Sequence, residues 1–175
     1  MSDHDREWLG PDAVPDAGTT SDAERMLAAC AEDLITAAEA TLAPWVVRSV
    51  TGRWRDYTAT DPEPGMVEAA RRAGDAARDE IVTALRALLG TDAERQWTGP
   101  LAVLRRAVAY PTAVLREAGV PPVVRDEFGE RNFPDDLYDL SPASFTDIDP
   151  SLHEPGLIWG AAKAHVVLTR RNPRL

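Results

Sequence analysis

From Ser21 the apolar residues fall at intervals of three and four. Ser21 with Glu24 forms a capping box, and Leu27, Cys30, Leu34, Ala38 and Leu42 make one stripe, which predicts an amphipathic helix. Pro44 is expected to break that helix or start a second one, on which Trp45, Val46, Val50, Trp54 and Tyr57 continue the spacing. Thr58 to Pro64 reads as a turn. A long helix over Gly65–Leu89 follows, thin-faced at Ala69, Ala73 and Ala77 and thicker at Ile81, Leu85, Leu88 and Leu89. Small residues there admit a second helix at close range, and Gly90 suits a left-handed end. Gln96–Pro100 is a turn holding Trp97. Pro100 then opens a helix carrying Leu101, Leu104 and Val108, which Pro111 interrupts. Thr112–Ala118 is a short helix stopped by Gly119, and Val123–Glu130 a further short piece after Pro121-Pro122. Period-two alternation is nowhere sustained.

Pro111 to Trp159 is different in kind. It holds seven of the fourteen prolines and all three phenylalanines. Proline fixes φ and removes a donor, so this stretch is neither one long helix nor a central strand. Its aromatics suit ordered loop laid over a helical body. Ser141-Pro142 and Asp149-Pro150 each place a capping side chain before a proline at a first helical position. The last helix begins at Glu154-Pro155. Gly156, Gly160 and Ala164 form a small-residue ridge on it, beside a stripe of Leu157, Ala161, Ala164 and Leu168, with His165 at the core boundary. The expected fold is all-α: an irregular bundle of about six helices with a proline-rich, loop-rich C-terminal third. Residues 1–20 read as an acidic, disordered leader with Trp8-Leu9 its one apolar pair, and 21–171 as a single helical domain.

Charge changes the picture. The net charge of −10 divides as −6 over residues 1–24, zero over 25–125, −8 over 126–154 and +4 over 155–175. Such a chain repels a phosphate backbone, which argues against nucleic acid. One cysteine excludes an internal disulfide, and Cys30 lies in the apolar stripe as a small core residue. The absence of a signal-peptide pattern and of long apolar runs predicts a cytoplasmic protein without a membrane partner. Arginine outnumbers lysine eighteen to one, and Arg53 and Arg55 are expected to cover Trp54 with their stems.

The acidic loop is the one candidate for chemistry. Asp135, Asp136, Asp139, Asp147, Asp149, His153 and Glu154 supply oxygen and imidazole ligands enough for a hard cation. Their spacing matches no calcium loop, and the aspartates also suit turns and caps. Zinc-ligand spacings, a nucleophile elbow and phosphate-cradling glycine loops are all absent.

YPTAVLREAGVPPVVRDEF, FPDDLYDLSPASF and DIDPSLHEPGLIWGAAKAH, with the arginines after them, resemble a family of small uncharacterised actinobacterial proteins over roughly residues 98–171. The resemblance implies a cytoplasmic protein of a high-GC bacterium. It brings no activity, cofactor or ligand.

Three functions follow as expectations. The first is a non-enzymatic adaptor or regulator with no cofactor, whose Phe133, Asp135, Asp136, Tyr138 and Asp139 present an aromatic and acidic surface to a basic protein partner. The second is a small divalent-metal enzyme built on Asp147, Asp149, His153 and Glu154. The third is a nucleic-acid-associated factor using Arg170, Arg171 and Arg174.

Overall fold

A computed structural model describes residues 17–125, 129, 135–140 and 153–172, with side chains beginning at Asp22 in the first helix and at Trp159 in the last. The expectations for residues 1–16 of the leader, Phe133, Asp147, Asp149 and Arg174 fall outside these residues, while Ala17 to Thr20, expected in the leader, are helical. The fold is all-α, and no strand occurs among the described residues. The elements are α1 (Ala17–Thr58), α2 (Pro64–Leu89), a 3-10 turn (Ala93–Arg95), α3 (Pro100–Leu104), a second 3-10 turn (Arg105–Val108), α4 (Ala109–Glu117) and α5 (His153–Arg171). No described helix is long and apolar enough to cross a membrane.

Helix α1 differs from expectation at both ends of the argument. It begins before Ser21, and it runs through Pro44 without ending. Pro44 has no amide to offer the carbonyl of Ala40, but both residues lie on the exposed face, where water can take the amide's place. The predicted stripe is otherwise in place: Cys30, Leu34, Ala38, Leu42, Trp45, Val46 and Val50 are all buried. Burial, with Asp33 nearby, pushes the Cys30 thiol up, as suits a core residue.

Helix α2 returns antiparallel along α1. Its inner face is Ala70, Gly74, Ala77, Ile81, Val82 and Leu85. Gly74 is where the two backbones meet: a Cβ there would lie 2.8 Å from the carbonyl oxygen of Ala43. The close approach expected of the small-residue half of α2 is therefore present, one residue from Pro44. Gly90 is right-handed (φ −80°) rather than left-handed. The Thr91 hydroxyl donates to the carbonyl of Ala87 at 2.7 Å, which satisfies the helix end without a positive φ. Gly119 does take the left-handed turn (φ 75°), and the Val120 amide reaches back to Leu115 at 3.0 Å, closing α4.

Pro111 does not interrupt α4. It sits buried within the first turn. Its missing amide would have served Ala107, and the chain there winds as 3-10, which uses shorter-range bonds. Val123 and Val124 are not helical. The Val123 amide donates to Leu137 at 2.8 Å, tying this extended stretch to the 135–140 turn.

Two apolar clusters result. The larger joins Cys30 to Val46 of α1, Ala77 to Leu85 of α2, Leu104 and Val108 of the arch from Pro100 to Glu117, and Trp159 of α5. The smaller joins Val50, Ala70, Val114, Leu115, Val120 and Tyr138. Helix α5 meets α1 through Trp159, Ala162 and Val166. The expected face is corrected here. Gly160, Ala161, Ala164, His165 and Leu168 are exposed, and nothing lies within 4 Å of a Cβ at Gly160. Trp159, the largest apolar side chain on the described part of the helix, sets the rotation, since burying an indole outweighs burying alanines.

The two glycines therefore respond in opposite ways. Gly74→Ala should lower stability by about 1–3 kcal/mol through overpacking against Ala43. Gly160→Ala should raise it by about 0.5–1 kcal/mol, the helical gain of alanine over glycine. Denaturant melts of the two variants check both signs.

Candidate functional site

The turn at Asp135–Leu140 is the described part of the acidic loop, and it is anchored more than it is displayed. The Tyr138 ring is buried in the smaller cluster, and its hydroxyl donates to the Val120 carbonyl at 2.7 Å. Asp136 is 4% exposed, and its Oδ1 accepts the Tyr138 amide at 3.2 Å in a turn that locks the ring's approach. Asp139 takes a left-handed φ of 55°, a conformation aspartate tolerates. Its carboxylate meets Arg125 through both oxygens, at 2.8 and 3.3 Å. Only Asp135 faces solvent without an ion pair among the described residues. Of the surface expected, Asp136 and Tyr138 are buried, while Asp135 and Asp139 are exposed. The two most sequence-conspicuous members, Asp136 and Tyr138, are structural, because a ring in the core needs its hydroxyl satisfied and its turn fixed.

Asp135 and Asp136 form one wall of a cleft whose other wall comes from the arch: Arg105, Arg106, Thr112 and Arg116. Arg106 is held by Glu80 of α2 at 2.6 Å, and Glu80 also accepts the Tyr110 hydroxyl. Burial and then Glu80 push Tyr110 up to about 12. The Tyr110 hydroxyl and then Arg106 hold the Glu80 carboxyl below its ordinary value. Arg116 is exposed and makes no ion pair among the described residues. The cleft is a meeting of opposite charges, of which Arg106 is already engaged in holding the arch to α2.

His153 and Glu154 begin α5, but the described residues do not extend to their side chains. Among the described residues no three His, Cys, Asp or Glu side chains gather as a cation site. The arginines of α5 serve the fold. Arg170 donates to Asp92 at 2.6 Å and to Glu24 at 2.8 Å, joining α5 to the first 3-10 turn and to α1. Arg171 lies 3.7 Å from Glu94.

That clasp supports a second feature, which periodicity alone does not single out. Trp97 is 92% exposed, although its neighbours are fixed. Gln96 is buried, its side-chain amide donating to Thr91 at 2.8 Å. Its carbonyl accepts Lys163 Nζ at 2.6 Å, and that ammonium lies 5.3 Å from the Trp159 ring centroid, a cation–π contact. Asp92 caps the 3-10 turn through the Glu94 amide at 3.0 Å. Pro100 is buried at the start of α3. The sequence signal was there in another form: a tryptophan in a short turn, between Gln96 and Gly99-Pro100, with no helix stripe to join.

Two outcomes are expected. Asp135→Asn should leave the melting temperature within about 2 °C of wild type, as for any free surface charge. Tyr138→Phe should cost about 1–3 kcal/mol by leaving the Val120 carbonyl unpaired. Separately, Arg170 and then the Glu94 amide hold the Asp92 carboxyl below its ordinary 3.8. A depressed carboxylate stabilises the fold above its unfolded value, and that contribution disappears as pH falls through the folded value. Asp92→Asn should therefore melt lower than wild type at neutral pH, and the two curves should converge once the pH has fallen below the depressed folded value.

The chain has no significant match among protein-family models, curated proteins or solved structures.

Proposed function

We propose that this protein is a non-enzymatic interaction module, an adaptor or regulator, and that Trp97 is its anchor for a protein partner. The single observation that carries this reading is the exposure of that indole on a turn held from several sides. An aromatic of this kind buries on the order of 150–250 Å² when covered. Tryptophan is also the residue type most enriched among interface hot spots. The backbone beneath the indole is already fixed, so ordering the turn adds little to the cost of binding. Asp135 lies exposed on the cleft beside the arch, whereas Asp136, Tyr138 and Asp139 act by holding the turn.

The competing readings have less behind them. Arg170 and Arg171, which a nucleic-acid factor would turn outward, face carboxylates of the same chain. The likeness of residues 98–171 to an actinobacterial family adds no activity.

Affinity capture with the immobilised full chain, from lysate of its native cell, should recover one protein in near-equal molar amount. Trp97→Ala should lose that protein while melting within about 2 °C of wild type. Equal recovery by both folded proteins would remove Trp97 from the reading.

A further inference from the structure

The charges around Trp97 indicate the kind of surface that covers it. The chain carries −10 overall, yet the groups nearest this turn in the fold are not left negative. Asp92 and Glu94 are the acids of the 3-10 turn, and each faces an arginine of α5, at 2.6 Å for Arg170 and 3.7 Å for Arg171. Two cations remain. Arg95, two residues before Trp97, is exposed and makes no ion pair among the described residues. Lys163 bonds the carbonyl directly preceding the Trp97 amide, again with no carboxylate partner among the described residues. The turn that carries the exposed indole thus bears two cations, Arg95 and Lys163, neither of them in an ion pair among the described residues, although Arg95 is near enough to help hold the Asp92 carboxyl down.

Resting on the interaction reading above, we propose that Trp97 docks into an apolar pocket of a protein partner whose rim carries carboxylates facing Arg95 and Lys163. An aromatic with flanking cations also suits an anionic lipid surface or a single-stranded nucleic acid. The protein partner is favoured because a body of net charge −10 is repelled by an extended anionic surface, whereas a local acidic rim interacts mainly within a Debye length of the turn. One indole is also little apolar area for holding a membrane, while it is enough to fill one pocket.

Arg95 is the residue to change, because Lys163 also supports the Gln96 carbonyl and the Trp159 ring. With the captured partner in surface-based kinetics, Arg95→Glu should slow association on the order of tenfold and flatten its dependence on salt, leaving the melting temperature within about 2 °C. Trp97→Ala should act on dissociation. If Trp97→Ala abolishes binding but Arg95→Glu and added salt change nothing, the acidic rim is wrong and the anchor stands. If Trp97→Ala leaves binding intact, or the wild-type chain recovers no partner, the interaction reading itself falls and the rim with it. Phosphatidylglycerol vesicles and oligothymidylate serve as the other probes, read by the tryptophan fluorescence difference between wild type and Trp97→Phe. A saturable, salt-sensitive shift with either overturns the protein partner in favour of that surface, and silence with both supports it.

Discussion

The contact between Gly74 and the carbonyl of Ala43 is the constraint on which the rest of the molecule depends. It brings α1 and α2 together at backbone distance, and it lies between the two apolar clusters. On one side Leu42, Ile81 and Leu85 pack with Leu104, Val108 and Trp159, and on the other Val50 and Ala70 pack with Leu115, Val120 and Tyr138. A side chain at position 74 would push the helices apart and loosen both clusters. The proline at 44 is next to the same contact. A helix that cannot make its usual bond at that turn keeps the deficit on its exposed face and its packed face intact.

How much of this was legible in the sequence depends on how local each cause is. The stripe of α1, the extent of α2 and the left-handed stop at Gly119 follow from spacing and from glycine's freedom at positive φ, so they could be read. Pro44, Pro111 and Gly90 were misread for a shared reason. Each is an ordinary breaker, and each is accommodated by something outside the residue itself: solvent at Ala40, 3-10 winding at Ala107, a threonine hydroxyl at Thr91. The rotation of α5 was misread because alanine, glycine and leucine on four-residue spacing make a stripe, but a single buried tryptophan decides which face turns inward. The acidic loop was half legible. Turn and cap chemistry explains Asp136 and Asp139, while the depth of Tyr138 depends on Val120, eighteen residues away, and no local pattern encodes that.

The ion pairs show where charge contributes most to the architecture. Several join residues three or four apart on an exposed helix face and add little. Arg106 with Glu80, Arg125 with Asp139 and Arg170 with Glu24 and Asp92 are of another kind, because each crosses between elements. Arginine suits these places: a planar fork meets two oxygens at once. The chain's one lysine stands where a fork would be less suitable. Lys163 places a compact ammonium over the Trp159 face and directs a donor to the Gln96 carbonyl.

That last contact explains why Trp97 faces outward. The interior has room for indoles, as Trp45 and Trp159, each 6% exposed, demonstrate, so exposure at position 97 is not forced by want of space. It is imposed by the backbone before it. Gln96 is turned inward by its bond to Thr91, its carbonyl is committed to Lys163, and the 3-10 turn preceding it is closed by Asp92. A residue that follows an inward-facing neighbour in an extended conformation points the other way, and Gln96 at φ −80° and ψ 90° is extended. Turning the backbone at Gln96 to bring the indole inward would break the bonds to Thr91 and Lys163, each worth about 0.5–1.5 kcal/mol. The same contacts that secure α5 to the first 3-10 turn therefore fix the backbone from which the most exposed aromatic of the described residues points outward. Stability of the bundle and display of the anchor are one set of bonds.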